Sequence, residues 1–255
     1  MFRQINHALS KLSATSAVGA ILKAGQRTSI VGQYKVRGVD IKVFIPINCI
    51  GHWNHSIHWE SREPEELDWI DSMTPSHTLF DVGSNFGQES LYASLKMNGP
   101  QEIHAFEPSF LENFIFAYNI AINNIQNVKH IPMAVSDSYG FTQLLWHTNY
   151  SRVPSRPERD ILESNIPTIS LDEYAAKSGA MPTHCKIDVD GGEEKVLLGM
   201  SDIMRSGALQ SIFIEVQPST KNQCFKIMEK HGFALRLSSE ARGSLLCTNH
   251  VFEKQ

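Results

Sequence analysis

A short apolar run followed by a turn with two glycines limits the possible folds most strongly. Residues Leu79–Val82 are apolar apart from Asp81 and predict a buried parallel strand. Gly83, Asn85 and Gly87 follow, and an apolar helical pattern comes next. Glycine lets backbone approach a ligand closely, and asparagine tolerates left-handed geometry. Taken alone the spacing also fits a plain tight turn, but it predicts the first βα unit of a doubly wound α/β sheet.

Acidic residues stand at the ends of four predicted strands. They are Asp81, Glu107, Asp188 and Glu215. Doubly wound nucleotide-binding folds place a carboxylate on the ribose hydroxyls at the end of the second strand, which is the position of Glu107. A dinucleotide site does not need the acid at Asp81, which can meet an amino group instead. This rim suits a ligand with a ribose, an ammonium group and a positively charged sulfur better than it suits a pyrophosphate.

Five motifs follow one another along the chain. They are Asp81-Val-Gly-Ser-Asn-Phe-Gly87, Phe106-Glu-Pro108, Ala134-Val-Ser-Asp137, Thr168-Ile-Ser-Leu-Asp172 and Lys186-Ile-Asp-Val-Asp-Gly-Gly-Glu193. In this order they resemble the FkbM-type S-adenosylmethionine-dependent methyltransferases. The resemblance covers roughly residues 60 to 235, and its most specific part is the last motif with the Leu-Asp before it. Where this chain has Asp190 the family more often has Glu, so the charge is kept and the reach is shorter.

The resemblance implies a fold, a cofactor and a set of binding residues. The fold would be α/β, a doubly wound, mostly parallel seven-stranded sheet of the Rossmann-like class I methyltransferase type. The cofactor would be S-adenosyl-L-methionine, with its methionine part above the glycine turn, its amino group near the first acid and its ribose on the second. The implied cofactor-binding residues are Asp81, Gly83, Asn85, Gly87, Glu107, Pro108, Ser136 and Asp137.

The implied reaction is transfer of a methyl group to a hydroxyl oxygen of a small molecule or carbohydrate. The protein would align donor and acceptor and remove a proton from the hydroxyl. We expect Asp188 to be the general base or to orient the acceptor, and Asp190, Glu215 and His58 are alternatives for this role. A carboxylate that caps a helix or fixes a loop is the other interpretation of Asp188.

The chain is expected to form two units, an extension at 1–60 and a methyltransferase domain at 61–255. Residues 1–39 contain six basic side chains and no acid, and their apolar residues predict an amphipathic helix at 2–23. This helix could pack on the sheet, make weak contact with a membrane surface, or act as a transit peptide. Alternation at 34–45 predicts a β-hairpin.

Composition narrows the class and the setting. The chain has 255 residues, 42% hydrophobic and 20% charged, which is ordinary for a soluble α/β domain. Its net charge of −4 gives no electrostatic case for nucleic acid, so we expect no nucleic-acid partner. The four cysteines have no Cys-x-x-Cys spacing, which favours reduced thiols and a cytoplasmic location. The sequence does not predict an oligomeric state.

Three histidines at a spacing of three, His52, His55 and His58, occur with two tryptophans, Trp53 and Trp59. They could be scattered histidines, a metal site or the lining of an acceptor pocket. A loop or short helix would not bring them together on a metal, and we predict no metal site. In the acceptor interpretation the tryptophans stack on a sugar and a histidine takes a proton.

Two further segments carry specific expectations. A helix is expected from Ser109, with a capping box to Glu112. Its sheet-facing side should hold Phe110, Phe114, Ala117 and Ala121, and its solvated positions should include Asn113, Asn119 and Asn123. The Pro- and Arg-rich residues 147–166 predict a long loop that acts as a lid, binds an anion through Arg152, Arg156 and Arg159, or is disordered.

Three other functions are considered. Asp188, Asp190 and Glu215 could hold a divalent cation that assists an O-methyltransferase. A dehydrogenase is disfavoured because the first turn lacks Gly-x-Gly-x-x-Gly. The chain could also be a non-catalytic nucleoside-binding protein that keeps the fold.

Overall fold

The computed structural model describes residues 29–46, 49–97, 102–147, 161–239 and 247–255. The predicted helix at 2–23 lies outside these ranges, as do Arg152, Arg156 and Arg159 of the predicted long loop. Within the described residues, no helix combines the length and the apolar character needed to cross a bilayer.

In the described residues a hairpin is followed by three helices, and then by the strands and helices of the main domain. The strands are β1 (Ser29–Val36), β2 (Val39–Pro46), β3 (Leu79–Val82), β4 (Ile103–Phe106), β5 (Val128–Ile131), β6 (Ala134–Val135), β7 (Gly140–His147), β8 (Ile161–Ile169), β9 (His184–Ile187), β10 (Ser211–Val216), β11 (Phe233–Ser238) and β12 (Thr248–Lys254). The helices are α1 (Ile50–Ile57), α2 (Trp59–Arg62), α3 (Pro64–Asp71), α4 (Gln88–Met97), α5 (Phe110–Ile122), α6 (Leu171–Ser178), α7 (Glu193–Leu198), α8 (Ser201–Arg205) and α9 (Lys221–Lys230).

Seven strands form the central sheet in the order β11-β12-β10-β9-β3-β4-β5. Strands β3, β4, β5, β9 and β10 are parallel, whereas β12 is antiparallel to both β10 and β11. The chain runs outward from β3 to β5 and then returns to β9 beside β3. This reversal confirms the doubly wound α/β fold, and it opens a crevice at the carboxyl ends of β3 and β9.

Two apolar layers cover the sheet, and its central strands are therefore buried on both faces. All residues of β3, β4 and β9 are buried, which explains their nearly continuous apolar sequences. The hairpin and the helices α1, α3, α4 and α5 cover one face, and α6 to α9 cover the other. The polar exceptions in these strands are Asp81, His104, His184 and Lys186. Each therefore needs polar or charged neighbours within the protein.

The predicted hairpin is present as β1 and β2, and it docks on α5. Fully buried Asn119 accepts a hydrogen bond from the Phe44 backbone N–H at 2.7 Å and donates to the Phe86 carbonyl oxygen at 3.0 Å. Asn123 bonds both the N–H and the carbonyl oxygen of Lys42. The expectation that these asparagines are solvated was wrong, because they replace a missing strand partner for β2.

The buried side of α5 also differs from the expected one. Phe110 and Phe114 are 77% and 52% exposed, whereas Ile115 and Phe116 are fully buried against the sheet. The expected face of Phe110, Phe114, Ala117 and Ala121 is therefore the outer face, since Ala117 and Ala121 are exposed as well. The hydroxyl of Ser109 contacts the Glu112 carboxylate, but it does not cap a backbone N–H as the expected box requires.

A second sheet occupies part of the predicted long loop. Strands β7 and β8 pair antiparallel from Gly140↔Thr168 to His147↔Ile161, and β6 pairs parallel to β8. Residues 161–166, expected in the loop, thus belong to β8. Strand β7 was not predicted from the sequence.

Candidate functional site

The carboxyl edge of the sheet brings the predicted strand-end acids together. Asp81 lies in β3, Glu107 follows β4, Asp188 follows β9 and Glu215 lies near the end of β10. The N–H of Asp188 donates to the Val82 carbonyl oxygen at 2.9 Å, which joins the ends of β3 and β9. The acids therefore surround the crevice at which doubly wound folds bind ligands.

The first turn has the predicted left-handed geometry. The φ angles of Gly83, Asn85 and Gly87 are 81°, 50° and 89°. An ideal Cβ on Gly83 would lie 1.7 Å from the Asp188 carbonyl oxygen, and one on Gly87 would lie 2.0 Å from the Phe116 ring. Protein atoms fill the space that the glycines leave open. Tight packing of the turn therefore requires both glycines, whatever part of a ligand passes above them.

Glu107 is buried and held by backbone donors. One carboxylate oxygen accepts from the Asn85 N–H and the other from the Ser109 N–H, both at 2.8 Å. Burial raises the pKa of Glu107 to about 7, although these two hydrogen bonds oppose the shift. Pro108 follows at once, and the Asn113 side chain donates to the Glu107 carbonyl oxygen. The acid at the end of the second strand is thus fixed in position and titrates near neutrality.

Asp81 lies entirely below the surface of the turn. Its Oδ2 accepts a hydrogen bond from the Ser90 hydroxyl at 2.6 Å, and its Oδ1 lies 3.8 Å from the Lys186 ammonium group. The carboxylate has no exposed surface. In this conformation a ligand in the crevice cannot contact the Asp81 carboxylate directly, as the expected bond to an amino group would require.

Lys186 lies at the centre of four carboxylates, and sequence reasoning missed it as a functional residue. Its Nζ is 3.6 Å from Glu89, 3.8 Å from both Asp81 and Asp188, and 3.9 Å from Glu66. Burial alone would lower the pKa of Lys186, but the carboxylates outweigh it and raise that pKa well above its usual value. A lysine between two apolar residues of a predicted strand, Cys185 and Ile187, was the available signal, because a buried cation requires partners.

Two of these carboxylates come from helices that were not linked to the site. Burial raises the pKa of Glu66 well above its usual value, and the Trp59 indole N–H donates to this side chain at 2.9 Å. Burial likewise raises the pKa of Glu89, to about 7, against the effect of Lys186. The segment before β3 therefore contributes to the carboxyl edge of the sheet.

Asp188, Asp190 and Glu215 lie closer to solvent. The Asp188 side chain is 39% exposed, yet the surrounding protein raises its pKa against the lowering effect of Lys186. Burial and the Asp188 charge raise the pKa of Glu215 to about 7. Asp190 is exposed and has a left-handed φ of 51°. Of the three, Asp188 combines solvent access with direct contact to the Lys186 cluster.

Ser136 and Asp137, which the resemblance implies as cofactor-binding residues, follow β6. The Ser136 N–H donates to the Ile169 carbonyl oxygen at 3.0 Å, and its hydroxyl lies 3.3 Å from the Asp137 carboxylate. An ideal Cβ on Gly199 would lie 2.2 Å from the Ser136 carbonyl oxygen. The backbone here is thus packed closely, while Asp137 itself is exposed.

The three histidines lie in different surroundings. His52 is buried and stacks on Phe86 with ring centroids 4.5 Å apart, and His55 Nε2 lies 3.8 Å from a Glu63 carboxylate oxygen. His58 is exposed, and its Nδ1 pairs with the Asn54 carbonyl oxygen of its own segment. The hydrogen-bond partner of His58 is therefore in its own helical segment, and not Asp188, Asp190 or Glu215. Across the described ranges, no group of three or more His, Cys, Asp or Glu side chains is arranged to hold a metal ion.

Both tryptophans of this segment are used in packing. Trp59 has no exposed surface, and its ring meets Tyr92 edge-on with centroids 5.6 Å apart. Trp53 packs on β1, where an ideal Cβ on Gly32 would lie 2.4 Å from its ring. The expectation that these rings stack on a sugar was wrong for Trp59, because a fully buried ring offers no face to a substrate.

A family model, that of the Methyltransferase FkbM domain, matches residues 81–243, which is more than half of the chain. The chain belongs to the FkbM methyltransferase family. The resemblance seen in the five motifs is thereby confirmed. No curated protein matches the chain.

Solved structures agree with an FkbM-type fold at low sequence identity. Methyltransferase FkbM from Methylobacillus flagellatus KT is 15% identical, with a TM-score of 0.50 over 71% of this chain and 44% of that chain. Precorrin-6y C5,15-methyltransferase from Geobacter metallireducens GS-15 is 13% identical, with a TM-score of 0.50 over 76% of this chain and 88% of that chain. The chain thus spans less than half the length of the Methylobacillus protein. At these identities the similarity shows the fold alone.

Proposed function

We propose that this FkbM-family protein uses S-adenosyl-L-methionine to methylate a hydroxyl oxygen of a small molecule or carbohydrate. The observation that carries the proposal is the position of Glu107 beside the left-handed turn at Asn85, at the crevice of the doubly wound sheet. Backbone N–H groups fix both oxygens of this carboxylate. A carboxylate oxygen has more than one lone pair, so each can still accept a bond from a ribose hydroxyl.

The residues at this edge fit a cationic nucleoside better than a pyrophosphate. Asp81, Glu107, Asp188 and Glu215 give the crevice a surplus of carboxylates, with Lys186 as the buried cation among them. Such a surplus attracts the ammonium and sulfonium charges of the donor and repels phosphate groups. When bound, the donor would supply an electrophilic methyl group.

Asp188 is the proposed general base, which would accept the hydroxyl proton of the acceptor. Its side chain reaches solvent beside the β3 and β9 ends, where an acceptor would enter. A raised pKa suits a general base, since a carboxylate at its ordinary pKa binds a proton weakly. Glu215, with a pKa of about 7, is the second candidate.

Calorimetric titration of the full chain with S-adenosyl-L-methionine, and separately with NAD, tests the donor. We expect binding of the first and no binding of NAD. Glu107→Gln serves as the site variant. It should weaken the binding of S-adenosyl-L-methionine, because it removes the ionised hydrogen-bond acceptor for the ribose hydroxyls. Binding of NAD alone, or of neither compound, would contradict the proposal, and the latter would favour a non-catalytic protein.

The acceptor is then sought with donor carrying a labelled methyl group. A panel of monosaccharides, glycosides and phenols is incubated with protein and donor, and label transfer is measured with and without excess EDTA. We expect transfer to an oxygen, retained in EDTA. Transfer only to amines or thiols would contradict O-methylation, and loss of transfer in EDTA would point to a divalent cation as a further requirement.

A further inference from the structure

We infer that Lys186 is a positioning residue of the methyl-donor site. Its ammonium group fixes Asp81 and Asp188 at the carboxyl edge of the sheet and connects them to Glu66 in the segment before the first central strand. This inference rests on the proposed function, since the donor is taken to be S-adenosyl-L-methionine.

The geometry of the cluster supports a shared role. The four carboxylates that face Lys186 come from different elements: Glu66 from α3, Asp81 from β3, Glu89 from α4 and Asp188 from the end of β9. Their distances to Nζ all fall between 3.6 and 3.9 Å, and the lysine side chain is 4% exposed. Because the cation is nearly equidistant from all four groups, it holds four elements together at one point.

The charges in the cluster do not balance internally. Burial raises the pKa of both Glu66 and Glu89, which favours their neutral forms. Lys186 is then left with Asp81 in β3 and Asp188 after β9, whose carboxyl ends border the crevice. Glu63 adds a further negative charge that reaches Lys186 and Asp188, and His55 faces Glu63.

Loss of the ammonium group would change both charge and position. Without it, Asp81 would lose the cation that faces its buried carboxylate, and the pKa of Asp188 would rise further, because an opposite charge within about 4–6 Å typically lowers a carboxyl pKa by about 1–3 units. The donor would then lose the negative charge of Asp188 near neutral pH. The segment carrying Glu66 would also lose its ionic contact with the sheet edge.

The test compares Lys186→Met with a matched control, Lys254→Met. Lys254 is a half-buried lysine, and its Nζ donates to the carbonyl oxygens of Met204 and His231, away from the carboxyl edge. Affinity for S-adenosyl-L-methionine is measured by calorimetry from pH 6 to pH 9. We expect Lys186→Met to weaken binding at least about tenfold at pH 6.5. Its affinity should recover at a pH about one to three units higher than in the wild type.

A double variant covers the case in which Lys186→Met fails to fold. Lys186→Met/Glu89→Gln removes one buried cation together with one buried acid, and Glu89→Gln alone is its reference. The double variant should show the same displaced pH profile relative to Glu89→Gln, whereas Lys254→Met should follow the wild type. A general loss of folding would affect affinity at every pH and would not recover at high pH.

Two outcomes would overturn the inference, and they differ in what they say about the donor. If the wild type binds S-adenosyl-L-methionine and the Lys186 variants bind it equally well or more tightly at every pH, Lys186 does not position the site, although the proposed function stands. If the wild type itself does not bind this donor, both the proposed function and the inference fail.

Discussion

The carbonyl oxygen of Asp188 occupies the place where a side chain at Gly83 would begin. The ideal Cβ of Gly83 would lie 1.7 Å from that oxygen, and the φ angle of Gly83 is 81°. The same Asp188 residue donates its N–H to Val82. The turn after the first central strand and the turn after β9 therefore lock together through backbone atoms, next to the acids of the site.

We expect Gly83→Ala to destabilise the protein by about 3 kcal/mol or more, because the Cβ must displace backbone as well as adopt an unfavourable φ. Gly179→Ala is the matched control, since Gly179 has a φ of 76° but no atom within 4 Å of its ideal Cβ. This variant should cost only about 1 kcal/mol. Urea unfolding monitored by tryptophan fluorescence measures both. Equal losses would show that the Asp188 carbonyl oxygen moves aside easily.

Asn119→Ala should loosen the hairpin from α5. The change leaves the Phe44 N–H and the Phe86 carbonyl oxygen without their partner, and each buried unpaired group costs about 1–3 kcal/mol. We expect a loss of about 3 kcal/mol in unfolding free energy and faster amide exchange at Phe44. Asn123→Ala, at a more accessible position, should cost about 1 kcal/mol. Unchanged exchange at Phe44 in Asn119→Ala would contradict this role.

Glu107 should make stability fall as the pH rises through neutrality. Its folded pKa of about 7 lies above its ordinary value of 4.5, so the folded protein binds the proton more tightly than the unfolded chain. This contribution is fully present below the ordinary pKa and is lost as the pH rises through about 7. Between pH 6 and pH 8 the wild type should lose about 1.4 kcal/mol more than Glu107→Gln. If the stability of the two proteins changed in parallel between pH 6 and pH 8, the pKa of Glu107 would not be raised in the folded protein.

Asp188→Asn should lower turnover far more than donor binding. Because Asp188 also faces the donor site, we expect the S-adenosyl-L-methionine affinity to fall by up to about tenfold, and methyl transfer at saturating donor to fall by about a hundredfold or more, as is typical when a general base is removed. Asp190→Asn and Glu215→Gln are measured beside it. If one of these two variants abolishes transfer while Asp188→Asn retains it, the base lies at that position instead.

The fold and the crevice at the carboxyl edge of the sheet were predictable from the sequence because both depend on local patterns. The apolar run before Gly83 and the acid before Pro108 each mark one βα unit, and the left-handed turn at Asn85 followed from residue type alone. Such signals do not depend on the distant parts of the chain. The sheet order and the crevice then follow from the doubly wound topology.

The partners of the site were not predictable, because they come from segments far apart in sequence. Nothing near Lys186 in the chain shows that Glu66, 120 positions earlier, would face it. The buried side of α5 was misassigned for a similar reason. Phe110 and Phe114 are more hydrophobic than Asn119, yet the asparagine is buried because β2 needs hydrogen-bond partners that a phenylalanine cannot supply.

The position of β12 has a practical consequence for work with fragments of this protein. The family match ends at residue 243, but β12, at Thr248–Lys254, pairs with both β10 and β11 in the interior of the sheet. A fragment cut at 81–243 would leave β10 and β11 with unpaired edges, which favours aggregation. The fragment would also lack Phe44 and Glu66, which contact Asn119 and Lys186. We expect a recombinant piece to remain monodisperse only when it extends from the hairpin to the last strand.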